Sequence, residues 1–167
     1  CSFRRMSAEF GGCGGYFTEM LAGRQILTEN TAKSPYLKRS PAEKRLIYQL
    51  MVHPNDDLDR IVSRLAGIGP DGLDINLACH APVIRQVLAG STLFDNPIGL
   101  ARVLAAVRKA WPGLLTVKIR LGADTPDFEE CFAGRMRLFE DGGVDAITLH
   151  PRFLGERHSR SACHDRI

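Results

Sequence analysis

The sequence predicts an α/β fold, namely part of a (β/α)8 TIM barrel with about five parallel strands alternating with helices. Two observations lead to this prediction. Apolar runs of strand length alternate with amphipathic stretches of helical length along the 167 residues, as in right-handed βαβ units. Polar residues also recur near the carboxyl ends of the apolar runs, where barrel enzymes gather their catalytic groups. Because five strands cannot close an eight-stranded barrel, we expect an incomplete one.

The first half of the chain predicts two helices and two strands, with an extra short helix between the strands. "SFRRMSAEFG" reads as a helix that a glycine pair ends, and "GYFTEM" reads as a strand over 15–20. The polar stretch that follows predicts only a short helix within 24–34. "RLIYQLMV" (45–52) predicts the next strand, and "NDDLDRIVSRLAG" has the residues that favour a helix start and a closing glycine.

The second half predicts three further strands and two long helices. "GLDINLA" reads as a strand, and a loop over 79–96 follows it. "PIGLARVLAAVRKAW" predicts a helix because Pro97 is favoured at a first helical position. "LLTVKIRL" (114–121) predicts a strand, and "DFEECFAGRMRLFEDGG" predicts a helix with acidic residues early and glycines at its end. "DAITLH" (145–150) is the last predicted strand.

Polar strand ends favour the barrel over a doubly wound sheet, which fits the same alternation. A doubly wound sheet usually carries a glycine-rich turn after its first strand, and neither G-x-G-x-x-G nor G-x-x-x-x-G-K-[ST] occurs here. In a barrel the strand ends converge on one face. The polar residues at these ends are Glu19, Gln49, Asn76, Lys118 with Arg120, and His150.

Composition and charge fit one globular domain. The chain is 44% apolar and 25% charged, and its net charge of +3 does not by itself indicate a nucleic-acid partner. The basic stretch "RFLGERHSR" (152–160) reads first as a solvated tail. Because the chain starts with Cys1 rather than methionine, we expect it to be part of a longer protein. It contains no apolar run of the roughly 20 residues that a membrane span needs, and its scattered cysteines fit a reducing, cytoplasmic setting.

Several strand-end residues have both a functional and a structural interpretation. Cys79 after Asn76 is a candidate nucleophile or acid, or else a small buried apolar residue. Lys118 and Arg120 share a strand face, from which they can hold an anion. Alternatively, both cations extend along the barrel mouth and pair with Asp74 or Glu19. His150 alone is more often a structural hydrogen-bonding residue.

Two Cys-His pairs make zinc the rival chemistry. Cys79 with His80 and Cys163 with His164 supply ligand types that zinc prefers. Adjacent side chains on an extended chain point to opposite sides, so neither pair chelates one ion easily. We therefore expect no metal site.

Six stretches together resemble the tRNA-dihydrouridine synthases. "DINLACHAPV", "LAGSTLFDNP", "TVKIRLG" and "VDAITLHPR" occur in the order and spacing of that family. "YFTEM" and "YQLMV" resemble the family's second and third barrel strands. The resemblance extends from about Ser2 to about Arg160.

The resemblance implies a flavin-dependent barrel that acts on tRNA. In that family FMN lies across the strand ends and is reduced by NAD(P)H. It then gives hydride to C6 of a uridine, while a loop cysteine gives a proton to C5. Transferred to this sequence, the proton donor is Cys79. The FMN-binding residues are Gln49, Asn76, Lys118 and His150, and the substrate-binding cations are Arg120 and Arg152.

The sequence departs from the family pattern in two motifs. Where the family has Asn-x-Gly-Cys-Pro, this chain has Ala78 in place of the glycine and His80 in place of the proline. We therefore expect the loop to present Cys79 differently. Where the family has His-Gly-Arg, this chain has Pro151 in place of the glycine.

The resemblance also implies which parts of the family fold lie outside 1–167. The first strand would precede Cys1. The last two strands and the helical tRNA-binding domain would follow Ile167. The chain is then an incomplete TIM-barrel catalytic domain. Two alternatives are a flavin barrel for small pyrimidines, as in dihydroorotate dehydrogenases, and a non-catalytic remnant.

Overall fold

A computed structural model describes residues 2–11, 13–156 and 161–166. The strands are β1 (Tyr16–Phe17), β2 (Leu21–Ala22), β3 (Leu46–Met51), β4 (Gly72–Asn76), β5 (Leu114–Gly122) and β6 (Ala146–Phe153). The helices are α1 (Ser2–Glu9), α2 (Gly23–Ile26), α3 (Leu58–Ala66), α4 (Pro82–Gln86), α5 (Ser91–Phe94), α6 (Pro97–Ala110) and α7 (Phe128–Asp141). A 3-10 helix covers His164–Arg166.

The strands form one parallel sheet in chain order. Both β1 and β2 pair with β3 on the same edge, and β4, β5 and β6 follow on its other side. The sheet therefore has five strand positions. Strand order that matches chain order, with helices between the strands, is the arrangement of a TIM barrel. This sheet confirms the predicted partial barrel.

The two faces of the sheet differ in polarity because side chains alternate along each strand. On β5, Leu115, Val117 and Ile119 belong to the apolar core that the helices cover. The residues between them, including Thr116 and Arg120, belong to the opposite face. The helix side therefore holds the fold together, and the other side carries polar groups.

Helices α3 and α6 cover most of the apolar face. The side chain of Asp57 accepts a hydrogen bond from the Arg60 backbone and caps α3. The side chain of Asn96 accepts from the Gly99 backbone and caps α6, which has Pro97 in its first turn as predicted. Four apolar side chains of α6 are fully buried, each worth about 1.5–3 kcal/mol. They are Leu100, Val103, Leu104 and Val107.

The predicted strand over 15–20 is wrong in its second half, because β1 ends at Phe17. Pairing with β3 proceeds until the Thr18 N–H donates to the Ile47 carbonyl. The next β3 amide, that of Gln49, donates to the Thr18 hydroxyl at 2.9 Å instead of to a backbone carbonyl. A side chain thus interrupts the ladder, and pairing resumes only at β2.

Three other boundaries differ from the prediction. The segment 79–96 contains α4 and α5 rather than only a loop, since Pro82 can start a helix without losing a bonded N–H. The predicted helix within 24–34 shrinks to the short α2. Strand β6 continues past His150 because Phe153 still pairs with β5.

Part of the predicted basic tail, 157–160, lies outside the described residues. Among the residues that the structure describes, no helix has the length and apolar character needed to cross a membrane.

Candidate active site

A cavity of about 630 Å³ opens at the carboxyl ends of the central strands. Its wall combines the ends of β4, β5 and β6 with the segment that follows β4. The lining residues are Met20, Asn76, Ala78, Cys79, His80, Ala81, Pro82, Arg85, Lys118, Arg120 and His150. The structure thus brings five predicted site residues to one cavity, namely Cys79, Asn76, Lys118, Arg120 and His150.

Strand register explains why these residues meet. The Cα of Asn76 pairs with that of Lys118 across β4 and β5. The Cα of Arg120 pairs with that of His150 across β5 and β6. Paired residues of neighbouring strands lie on the same face of a sheet, so their side chains enter the same space.

Two other predicted residues, Gln49 and Arg152, are absent from the cavity lining but contact residues that line it. The Gln49 Oε1 atom accepts a hydrogen bond of 2.9 Å from Asn76 Nδ2. The Arg152 Nη1 atom lies 2.7 Å from His150 Nε2. Each therefore fixes the orientation of a side chain in the cavity wall.

Four buried side chains form a hydrogen-bonded series below the cavity, here called the polar relay. Thr116 donates its hydroxyl to Asp74 Oδ1 at 2.6 Å, and Gln49 donates Nε2 to Asp74 Oδ2 at 2.7 Å. Asn76 continues the series through its bond to Gln49. All four residues are buried. Such groups need their partners, because a buried polar group left unsatisfied costs about 1–3 kcal/mol.

The polar relay holds the amino side of Cys79. The Asn76 Oδ1 atom accepts from the backbone N–H groups of Ala78 at 3.1 Å and Cys79 at 2.9 Å. Ala78 does not adopt a positive φ, so the glycine expected at this position is not needed here. The chain therefore leaves β4 in a turn that one asparagine side chain stabilises.

A glycine holds the carbonyl side of Cys79. The Cys79 oxygen accepts from the Ser91 N–H at 2.9 Å. Gly90 has φ +60, and a Cβ on it would lie 2.3 Å from that oxygen. Both the left-handed conformation and the close approach require glycine. The thiol is thus presented from a backbone that is fixed on both sides.

Burial raises the pKa of Asp74 above its ordinary value. Hydrogen bonds from Thr116 and Gln49, together with the charge of Lys118, act in the opposite direction. The carboxylate is therefore used inside the protein as an acceptor for two neighbours. Glu19, the other predicted acidic partner of the strand-end cations, bonds Arg4 Nη1 at 2.8 Å.

Arg120 is the buried cation of the cavity wall. Its residue is 5% exposed, and its Nε and Nη1 atoms have no hydrogen-bond partner among the residues that the structure describes. Burial lowers the pKa of Arg120, and repulsion by Arg152 adds to this effect. Attraction by Cys79 and Glu156 raises it. Buried donors are almost always paired in folded proteins, so these N–H groups can take acceptors that enter the cavity.

The cavity lining suits an electron-rich ligand with acceptor oxygens. Among the described residues, the cations Arg85, Lys118 and Arg120 line it and no carboxylate does. The isoalloxazine ring of a flavin has that character, since its carbonyl oxygens accept hydrogen bonds and its reduced form is anionic. Within 2–11, 13–156 and 161–166, no three His, Cys, Asp or Glu side chains are grouped as metal ligands.

The sequence did not identify Met20 or Arg85 as site residues. Arg85 lies on α4, and the prediction of a loop there gave no direction to its side chain. Met20 lies in the interruption between β1 and β2. A basic residue soon after the candidate cysteine was the available signal for Arg85.

Comparisons with known proteins agree on one family. The family model described as Dihydrouridine synthase (Dus) matches residues 1–167. A Proteus vulgaris protein named tRNA-dihydrouridine synthase B is 32% identical over 152 residues, which is 90% of this chain and 46% of that protein. A Serratia marcescens protein of the same name is 34% identical over 117 residues, 61% of this chain and 34% of that protein.

A Vibrio vulnificus protein named tRNA-dihydrouridine(16) synthase is 36% identical over 91 residues, 53% of this chain and 28% of that protein. The matched regions thus cover between 28% and 46% of these relatives. The chain spans less than half the length of the curated relatives that it resembles.

Proposed function

Because this chain belongs to the dihydrouridine synthase family, we propose that it carries the catalytic site for flavin-dependent reduction of uridine to 5,6-dihydrouridine in tRNA. The names of its relatives support tRNA as the substrate. The observation that carries the proposal is the position of Arg120. A buried guanidinium whose Nε and Nη1 donors have no partner among the described residues lines the same cavity as a cysteine, which supports an oxygen-bearing ligand beside a thiol.

The residues of the cavity fit FMN. Lys118 and His150 would hold polar atoms of the flavin ring, and Asn76 would hold it from the β4 side. Gln49 supports this set by fixing Asn76. When bound and reduced by NAD(P)H, FMN supplies the hydride that C6 of the uridine accepts.

Cys79 is the proton donor in this proposal. Its S–H bond breaks as a C–H bond forms at C5, which completes the addition of hydride and proton across the C5–C6 double bond. An ordinary thiol is mostly protonated at neutral pH and can act as a general acid. Arg120 carries its positive charge in the same cavity as the Cys79 thiol.

The two arginines have different tasks in binding the substrate. Arg120 can donate Nε–H and Nη1–H to uracil carbonyl oxygens, since both groups lack partners among the described residues. Arg152 contacts His150 at the cavity wall and adds positive charge near the entering nucleotide. The base must leave its stack to reach a site at the strand ends, as in other enzymes that act on bases.

The direct test is to count dihydrouridine in unmodified tRNA after incubation with FMN and NADPH. Cys79→Ala should lower the rate at least about 100-fold, the usual contribution of a general acid. Cys131→Ala, at an exposed cysteine of α7, is the matched control and should leave the rate unchanged. Equal rates for wild type and Cys79→Ala would remove Cys79 from this role.

Two measurements address the alternatives. Oxidation of the reduced flavin by free uracil or orotate, without tRNA, would indicate an enzyme of small pyrimidines. Purified protein that shows no flavin absorbance after incubation with FMN would indicate a non-catalytic remnant. The family match supports the tRNA enzyme over both.

A further inference from the structure

A second cavity of about 610 Å³ adjoins the candidate active site, and Met20 lines both. Its wall is formed by β2, α2 and the segment that follows α2. We propose that this second cavity binds the base of a nucleotide adjacent to the reacting uridine, and that it selects guanine. The inference rests on the proposed function, because it takes RNA as the substrate. Two cavities that share one wall residue can receive two neighbouring bases of a single strand.

An aromatic residue on a fixed segment borders the second cavity. Tyr36 is 56% exposed, so much of its side chain faces solvent. Its backbone N–H donates to the hydroxyl oxygen of the buried Ser34 at 3.3 Å. The next carbonyl, that of Leu37, accepts 2.6 Å from the hydroxyl of buried Tyr48. The segment is therefore anchored on both sides of an exposed ring, which is what a stacking surface for a base requires.

The polar groups of the second cavity favour a base that presents several donors. Glu29 and Gln25 line it, and no Lys or Arg is among its lining residues. The Glu29 side chain forms no ion pair or hydrogen bond with any residue that the structure describes. A carboxylate accepts two hydrogen bonds side by side. Guanine offers N1–H and an N2 amino group on one edge, whereas adenine offers one amino group there.

Positive charge lies outside the second cavity rather than within it. Lys33 and Lys38 are exposed on the segment that carries Tyr36. Lysines on this segment can contact the phosphates of a bound strand, and phosphate contacts position a nucleic acid without reading its sequence. The arrangement therefore separates base selection at Glu29 from backbone binding by these lysines.

The test uses short single-stranded RNAs in which a uridine has guanine, inosine, adenine or an abasic site as its neighbour. Inosine keeps the N1–H of guanine and lacks the N2 amino group. Binding to the chain is followed by fluorescence anisotropy, and dihydrouridine is counted in parallel. We expect guanine to bind about tenfold more tightly than the abasic RNA, in line with stacking of one base, with inosine between them.

Variants of the lining residues sharpen this test. Glu29→Gln should bring guanine binding down to the inosine level, whereas Glu9→Gln, at an exposed glutamate of α1, should change nothing. Tyr36→Ala should lower the affinity about tenfold for every RNA with a base, and Tyr36→Phe should retain it. Equal binding of guanine and abasic RNAs, or an unchanged preference in Glu29→Gln, would overturn the inference.

The outcomes separate this inference from the proposed function. Wild type that prefers guanine RNA but reduces no uridine would refute the proposed function and leave the second cavity as a base-binding site. Wild type that reduces uridine equally in all four RNAs would support the proposed function and refute base selection by the second cavity. Variants that raise the KM for NADPH and leave RNA binding unchanged would assign the cavity to the dinucleotide, which also overturns the inference.

Discussion

The direction of the hydrogen bonds in the polar relay is fixed from both ends, and this can be tested. Asp74 can only accept, so Gln49 must turn its Nε2 toward it and its Oε1 toward Asn76. At the other end the backbone N–H groups before Cys79 require an acceptor. Asn76 therefore points Oδ1 at them and donates to Gln49. No amide of the relay can reverse alone.

Asn76→Asp is the perturbation that breaks this order with almost no change in shape. The new carboxylate still accepts from the backbone before Cys79, but it faces the Oε1 of Gln49. One hydrogen bond is lost, which costs about 1 kcal/mol. A second buried charge near Asp74 adds about 2 kcal/mol or more. We expect unfolding free energy to fall by about 3 kcal/mol at pH 7.

Asp74→Asn in the same chain should repair the relay by reversing it. The new amide at position 74 would donate to Gln49 Oε1 and accept from the Thr116 hydroxyl. The amide of Gln49 would then donate to the carboxylate at position 76. Every donor again meets an acceptor, and the number of buried charges returns to one. The double variant should lie within about 1 kcal/mol of wild type, so that it recovers at least about 2 kcal/mol of the stability that Asn76→Asp loses.

Urea unfolding followed by circular dichroism gives the four free energies of this cycle. Asn55→Asp, at an exposed asparagine, is the control and should change stability by less than about 0.5 kcal/mol. If the effects of Asn76→Asp and Asp74→Asn add to within about 0.5 kcal/mol, the relay does not have the fixed direction inferred here.

Three further predictions concern single residues. Gly90→Ala should cost at least about 2 kcal/mol because its Cβ would strike the Cys79 carbonyl, whereas Gly134→Ala in α7 should add about 0.5–1 kcal/mol in the same unfolding assay. Burial raises the pKa of Asp74, so ionisation of this carboxyl group destabilises the folded protein. The destabilisation is absent below pH about 4 and develops as pH rises through the raised pKa. The free energy of unfolding of Asp74→Asn relative to wild type, measured by urea titration, should therefore increase with pH. Arg120→Met should raise the melting temperature while it weakens binding of the uridine substrate, measured as a rise in the KM for tRNA.

The sequence predicted the sheet because its signal is repeated along the chain. Apolar runs such as 45–52 and 114–121 recur between amphipathic stretches, and burial of those runs holds the sheet against the helices. The interruption at Thr18 was not predictable, because it depends on one hydroxyl that replaces a carbonyl in the ladder. Helices α4 and α5 were missed because elements of four or five residues have no measurable periodicity.

The sequence predicted the site residues that lie on strands and did not predict those that lie between strands. Strand alternation places Lys118 and Arg120 on one face whatever the surrounding loops do. By contrast, the position of Arg85 depends on the start of α4, and that of Met20 on the break after β1. The use of Gln49 within the relay depends on partners from two other strands, which periodicity in one strand does not reveal.

The depth of each polar group in the partial barrel explains which of them stay satisfied inside the protein. Across the sheet, Asp74 is in register with Gln49 and Thr116, and both donate hydrogen bonds to its carboxylate. Arg120 lies four residues further along β5, nearer the strand ends, and its donors lack partners among the described residues. The relay residues lie beneath this cation, and they hold Asn76, which lines the same cavity, in a fixed orientation.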